Sequence, residues 1–207
     1  LNAAIKADLI TYAGVYRKGS ASQNENWSDT WYSGCGVADA TTYNTMYNKM
    51  INSVYTNGGF WIQRYEDGTV NITYGDAQVK ASGYAPDETK TSSLLFGIQW
   101  DLVCRYLDGK DGLTTAMINS NSSSWGRYID TSDNKPLAGL DRNKKMNIYD
   151  FAGNLLEWTL EKGLDNPCVA RGGQSGSRGS NLPASYRNGD RTIANKRSDT
   201  SFRATFY

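Results

Sequence analysis

NIYDFAGNLLEWT, residues 147–159, is the stretch that decides the fold. It is followed by Arg171-Gly172-Gly173 and, close to the end of the chain, by Ser201-Phe202-Arg203. Between these short motifs, residues 174–199 consist mainly of Ser, Gly, Asn, Arg and Asp. Such residues do not build an apolar core. We therefore expect residues 174–199 to face solvent or a partner.

The motif order DxxGNxxEWT, then RGG, then FR resembles the formylglycine-generating (sulfatase-modifying) enzyme family. That family has a C-type-lectin-like fold, which also serves as the scaffold of binding proteins diversified by retroelements. The resemblance implies an α+β protein with two helices around small antiparallel sheets and much irregular structure. We predict a loop-rich N-terminal segment, residues 1–36, packed on a C-type-lectin-like domain, residues 37–207, with a variable region at about 174–199.

Apolar spacing predicts two amphipathic helices and a hairpin. Apolar side chains recur every three or four residues from Asp39 to Tyr55, with Asp39 or Thr41 as the N-cap. Alternation around the Asp67-Gly68 turn predicts a β-hairpin. The full set is a short helix near 3–12, a helix at 39–55, strands at 59–66 and 69–74, a loop at 75–90, a helix at 93–107 and a surface excursion at 108–136.

Several residues of the fold motifs have an expected structural role. Trp158 and Phe202 are expected in the core. Arg171 and Arg203 are expected to form buried ion pairs with Glu157 or Asp150, because an unpaired buried charge costs several kcal/mol.

The resemblance also implies a candidate structural calcium site. Its ligands would be Asp150, Gly153, Leu155 and Glu157, where side-chain and backbone oxygens gather around a glycine turn. The alternative is that the two acids make only hydrogen bonds or salt bridges. No other cofactor is expected.

Composition excludes several classes of function. The 207 residues carry a net charge of +1, which gives no basic face for nucleic acid. No apolar run approaches the roughly 20 residues that span a bilayer. There is no histidine, so the commonest general base and transition-metal ligand are lacking. Three scattered cysteines allow at most one disulfide.

The resemblance does not carry over the family's catalytic residues. The two copper-binding cysteines of the enzymes would fall near Ser177 and Leu182, neither of which binds soft Cu(I). The related iron-dependent, sulfoxide-forming branch needs histidines. We therefore predict a protein that is not an enzyme.

Two patches of the variable region are the candidate ligand-binding surface: the first patch, residues 174–181, and the second patch, residues 188–199. In the retroelement-diversified proteins that the resemblance points to, randomised adenines in Asn codons yield most of the residue types found here, although Gln174 and Lys196 do not follow from such codons. Their arginines, with Arg187 between the patches, favour a polar or anionic ligand. The candidate binding residues are Ser175, Ser177, Arg178, Ser180, Asn181, Asn188, Asp190, Arg191, Asn195 and Arg197.

The sequence thus predicts a non-catalytic, hypervariable protein that binds a protein or glycan ligand on a cell surface, from a virion or a bacterial surface. One alternative is a structural phage or accessory domain whose terminal loops are ordinary. A second is an active formylglycine-generating oxidase.

Overall fold

A computed structural model describes residues 2–19, 29–131, 138–163 and 168–207 of the protein. Within these ranges the α-helices are α1 (Asn2–Ala13), α2 (Asp29–Tyr32), α3 (Ala40–Asn57), α4 (Tyr74–Ser82), α5 (Gly97–Leu107) and α6 (Thr115–Asn119). The strands are β1 (Lys18–Gly19), β2 (Trp61–Ile62), β3 (Ser92–Leu94), β4 (Lys144–Lys145), β5 (Ile148–Tyr149), β6 (Leu156–Thr159), β7 (Cys168–Arg171), β8 (Tyr186–Arg191), β9 (Thr200–Phe202) and β10 (Ala204–Phe206). The protein is therefore α+β, as the sequence predicts.

The strands form a five-stranded sheet in the order β1-β8-β7-β6-β9, a three-stranded sheet β2-β10-β3 and the pair β4-β5. The large sheet is mixed, which corrects the expectation of antiparallel sheets alone. β6, β7 and β8 are antiparallel neighbours, but β9 lies parallel to β6 and β1 parallel to β8. The parallel pairing follows from the connection at 192–199, which leaves β8 on one side of the sheet and returns beyond β6.

Helix α3 confirms the prediction at 39–55, and its N-cap is Asp39. The Asp39 carboxylate accepts a hydrogen bond from the Thr42 amide at 2.7 Å, and the helix ends at Gly58, whose φ of 75° suits a glycine. Its buried face carries Tyr43, Tyr47, Met50 and Ile51. The predicted helix at 93–107 begins later, since Ser92–Leu94 is a strand and α5 starts only at Gly97.

The hairpin predicted at 59–74 is wrong. The amides of Gln63 and Asp67 donate to the carbonyls of Ala204 and Phe202, both at 2.9 Å, so this segment pairs with the end of the chain instead of with itself. Thr73 then caps α4, which occupies part of the predicted loop at 75–90. Residues 69–73, which carry most of the alternation, form no strand.

The described residues bury two apolar clusters. The first lies between α3, α4 and the large sheet and contains Trp158 and Phe202, both fully buried, as expected. The second surrounds α5, where Trp100 stacks on Phe151 at 4.2 Å and donates its indole N–H to the Ala184 carbonyl at 2.9 Å. α1 packs against α5 and α3. The division at residue 36 stays a prediction.

Arg203 forms the expected pair with Glu157, and both side chains are buried. Its guanidinium also donates to the carbonyls of Gln63, Arg64 and Tyr149 at 2.8 to 2.9 Å.

The expected partners of Arg171 are wrong. Arg171 binds Asp101 at 2.7 Å and Glu161 at 2.8 Å, while Arg17 and Arg187 contact the same two acids. Three arginines thus share two carboxylates inside the protein.

Replacing Asp39 by Ala tests the cap of α3. We expect the free energy of unfolding to fall by about 1 kcal/mol, because the Thr42 amide would lose its acceptor. Urea titration followed by circular dichroism measures the change. Asn44→Ala, at an exposed position of the same helix, is the control and should stay within about 0.5 kcal/mol.

Candidate ligand-binding surface

The backbone of the first patch is held by residues outside it. The Ser175 amide donates to the Asn154 carbonyl at 2.9 Å, and the Ile129 amide donates to the Ser177 carbonyl at 3.0 Å. At Gly179 the carbonyl accepts from the Ser122 amide at 3.1 Å, and the amide donates to the Asp130 carboxylate at 3.1 Å. The path of the loop therefore depends little on its own side chains.

The RGG motif brings β7 into this loop, and both glycines are required by the geometry. Gly172 has a φ of 74°, which favours glycine. A Cβ on Gly173 would lie 2.3 Å from the Leu182 carbonyl oxygen and 2.6 Å from the Tyr128 hydroxyl. This close packing explains why the RGG motif has glycine at positions 172 and 173, which the sequence alone indicated only through a family resemblance.

The second patch begins as part of the sheet. Residues 188–191 belong to β8, and the remainder forms the connection to β9. Its far end is anchored by the Asn71 and Leu156 amides, which donate to the carbonyls of Arg197 and Asp199, both at 2.9 Å. The side chains of Asn188 and Asn195 accept hydrogen bonds from the amides of Asp190 and Thr192. These two Asn residues thus also support the local backbone.

Most of the candidate side chains reach solvent. The exposed ones are Arg178, Ser180, Asn181, Asp190 and Arg197, and the half-buried ones are Ser175, Ser177, Asn188 and Asn195. Arg191 is only 6% exposed and lies 3.6 Å from the Asp199 carboxylate, which corrects its assignment to the ligand-binding set. Arg187 is also buried, against Glu161. The sequence could not show that β8 turns these two arginines inward.

The charge of the surface is correspondingly smaller than its composition indicates. Arg197 makes a two-point contact with Asp199 at 2.8 and 3.0 Å. Burial would raise the pKa of Asp199, but hydrogen bonds from Arg197 and Thr200 and the nearby charge of Arg191 lower it. In the described part of the chain, no acid pairs with Arg178 or Lys196, and these two supply the exposed positive charge.

Both patches are hydrogen-bonded to the segment where β6 begins. Asn154 and Leu156, two residues apart, bind Ser175 and Asp199 respectively. Asn154 has a φ of 61°, and its amide side chain bridges Arg127, at 2.5 Å, to Glu66. Asn154 of the fold motif therefore anchors the first patch, and Leu156, two residues later, anchors the second.

The glycine of that pair has no room for a side chain. A Cβ on Gly153 would lie 2.2 Å from the Arg127 carbonyl oxygen, and the φ of Gly153 is 80°. This close approach fixes the turn that leads into Asn154, whose carbonyl binds the first patch.

Both acids among the four candidate calcium ligands accept hydrogen bonds from protein groups, and the calcium site stays a prediction. The Asp150 carboxylate accepts from the Gly139 amide at 2.6 Å and from the Asn143 side chain at 2.9 Å. Both Glu157 oxygens bind Arg203. Leu155 donates its amide to Glu66. The described residues include no group of three or more acids, cysteines or histidines arranged to hold a metal.

Of the two positions compared with the catalytic cysteines, Ser177 lies in the first patch and Leu182 follows it directly. Ser177 accepts a hydrogen bond from the Gln174 side chain at 3.2 Å, and Leu182 is half-buried. Cys35, Cys104 and Cys168 are unpaired thiols buried elsewhere. Burial raises the pKa of the Cys104 thiol, and burial together with Cys35 raises that of Cys168.

Gly179 and Gly176 form a matched pair of tests for the anchoring of the first patch. A Cβ on Gly179 would lie 2.4 Å from the Ser123 amide nitrogen, whereas a Cβ on Gly176 meets nothing within 4 Å. We expect Gly179→Ala to destabilise the protein by about 1–3 kcal/mol and Gly176→Ala to be nearly neutral. Thermal unfolding measures both variants. Equal effects would show that Gly179 is not confined.

No protein-family model matches the sequence, and no curated protein matches it. Among solved structures, the chain is similar to Treponema denticola variable protein 1, with 16% sequence identity over 95% of this chain and 79% of that chain, and a TM-score of 0.43. Such an identity and TM-score establish neither a family nor a function. In the residues that the structure describes, no helix is long and apolar enough to cross a membrane.

Proposed function

We propose that the protein is a non-catalytic, hypervariable binding protein that presents the two patches to a protein or glycan on a cell surface. One observation carries the proposal: main-chain bonds with Ser122, Ile129 and Asn154 fix the first patch, while Arg178, Ser180 and Asn181 are exposed. A scaffold of this kind tolerates substitution, since exposed side chains away from special contacts change stability by only about 0.5 kcal/mol.

The surface offers hydrogen-bonding and basic groups more than apolar anchors. Ser180, Asn181 and Asp190 supply polar groups, and Arg178 and Lys196 supply charge. Paratopes that use Ser, Asn and Arg bind through adaptable polar contacts. We propose that the ligand is polar or anionic, and that the scaffold is of the C-type-lectin-like kind carried by a virion or a bacterial surface.

The absence of catalysis is part of the proposal. Positions 177 and 182 carry no thiol, the chain has no histidine, and all three cysteines are buried. Copper-dependent formylglycine formation on a sulfatase peptide by the purified protein would contradict it.

Sequencing this gene across a population, with neighbouring DNA, tests the diversification. We expect substitutions to concentrate at adenine-derived codons of exposed positions such as Arg178, Ser180 and Asn181. We expect them to spare Gly179 and the buried Arg187. Even scatter along the chain, with no adjacent reverse transcriptase or template repeat, would favour the structural phage or accessory domain instead.

A further inference from the structure

An apolar groove opens beside β2, the edge strand of the three-stranded sheet. Two cavities, of about 620 and 420 Å³, share Gly58, Gly59, Phe60 and Trp61 in their walls. These volumes lie in the range of about 300–1,000 Å³ that small-molecule sites occupy. No residue of 174–199 lines either cavity, so the groove is separate from the two patches.

Large apolar side chains along this groove remain in contact with water. Trp61 is 80% exposed, Tyr106 of α5 is 48% exposed, and Met146 is 37% exposed. Leu102, Val103 and Ile148 form apolar surface beside them in the larger cavity. A contiguous exposed apolar surface of this kind is typical of a binding site.

Met146 stands where local backbone preference favours another residue. It forms the two-residue turn between β4 and β5 with Asn147, and their φ values are 49° and 66°. Such turns favour Asn or Gly, which tolerate positive φ, over a long side chain like Met. Met146 nevertheless occupies this position, and its thioether lies in the wall of the groove. Residues that break local backbone preferences concentrate at functional sites.

The charged residues of the walls all have one sign. Arg64 lines the larger cavity and Lys90 the smaller, and no acid lines either. The backbone of Arg64 is fixed, because its carbonyl accepts from Tyr149 and Arg203 at 2.9 Å, while its side chain is exposed. A guanidinium offers two parallel donors to a carboxylate or sulfonate.

We propose that this groove binds an amphipathic organic anion. A flat apolar body lies against Trp61 and Tyr106, and a carboxylate or sulfonate is bound by Arg64. The site goes beyond the proposed function, since it uses none of the candidate variable residues.

A matched pair of fluorescent probes tests the proposal. 1-Anilinonaphthalene-8-sulfonate and N-phenyl-1-naphthylamine share an aromatic body, but only the first carries a sulfonate. We expect the native protein to bind the sulfonate about tenfold more tightly, as for a hydrogen bond to a charged group. Arg64→Gln should remove this preference and leave binding of the neutral probe unchanged. Trp61→Ala should weaken both probes about tenfold or more.

Arg178→Gln, in the first patch, is the matched control and should change neither titration. Thermal unfolding of each variant shows that the fold persists, which matters because the sulfonate probe also binds loosened states. Equal affinity for the two probes in the native protein would assign the groove to an uncharged partner and overturn the proposal. Unchanged sulfonate binding in Arg64→Gln would also overturn the proposal. A concentration-dependent dimer that Trp61→Ala abolishes would overturn it too, because the groove would then bind a second copy of the chain.

Discussion

Replacing Arg171 by Met should lower the free energy of unfolding by about 3–5 kcal/mol. Arg171 is fully buried, and its guanidinium binds Asp101 at 2.7 Å and Glu161 at 2.8 Å. Met keeps much of the apolar stem of arginine, but it donates no hydrogen bond and places no guanidinium over the Trp100 ring. Two buried carboxylates would lose a shared cation, and Arg17 and Arg187 would have to neutralise them alone.

The pKa values of the two acids in this network shift in opposite directions: burial raises the pKa of Asp101, whereas the pKa of Glu161 is lowered. Burial would raise the pKa of Glu161, yet the charges of Arg171, Arg187 and Arg17 outweigh burial and lower it. The carboxylate is therefore the form that the folded protein stabilises, and that stability is present above the unfolded pKa and lost as pH falls through the folded pKa. Removing Arg171 takes away one of the cations responsible.

Urea unfolding at neutral pH measures the effect of Arg171→Met, and the melting temperature should fall by about 10 °C or more. Arg178→Met, an exposed arginine of the first patch, is the control and should stay within about 0.5 kcal/mol. Glu161→Gln combined with Arg171→Met should cost less than the sum of the two single changes, because the two residues are in contact. Additive effects would mean that the pair is not coupled.

The sequence predicts the parts of this fold that depend on local spacing. The helix at 40–57 and its Asp39 cap follow from periodicity within one segment. The burial of Trp158 and the pairing of Glu157 with Arg203 follow from short motifs near the end of the chain.

Long-range contacts decide the parts that the sequence does not predict. Asp101 and Arg171 are 70 residues apart, and no spacing rule connects them. The amides of Gln63 and Asp67 bind the terminal strands, and no local pattern at 59–74 reveals these contacts.

At the candidate ligand-binding surface too, the sequence predicts local features and misses those that depend on long-range contacts. Composition identified residues 174–199 as a polar stretch, and most of its candidate side chains are at least half-exposed. Composition could not show that Arg187 and Arg191 belong to β8 and turn toward Glu161 and Asp199. Nor could it show that Asn154 anchors the first patch and Leu156 the second, since those contacts depend on the fold of separate loops.

Replacing Arg203 by Met should also cost about 3–5 kcal/mol, with a distinctive dependence on pH. The guanidinium binds Glu157 and three backbone carbonyls, each of which would lose one donor. Burial raises the pKa of Glu157, although Arg203 opposes it. Burial also raises the pKa of Glu66, and the nearby carboxylates of Glu157 and Asp150 raise it further.

A carboxyl whose pKa is higher in the folded state contributes stability that is present below the unfolded pKa and is lost as pH rises through the folded pKa. Loss of Arg203 removes the cation that opposes the rise in Glu66 and Glu157, so both pKa values should increase further. The cost of Arg203→Met should therefore be smaller at about pH 5 than at about pH 8. Urea unfolding of both proteins at the two pH values measures the difference, with Arg178→Met as the pH-independent control. If the cost of Arg203→Met stays constant with pH, Arg203 stabilises the protein through its carbonyl contacts alone and not through Glu66 and Glu157.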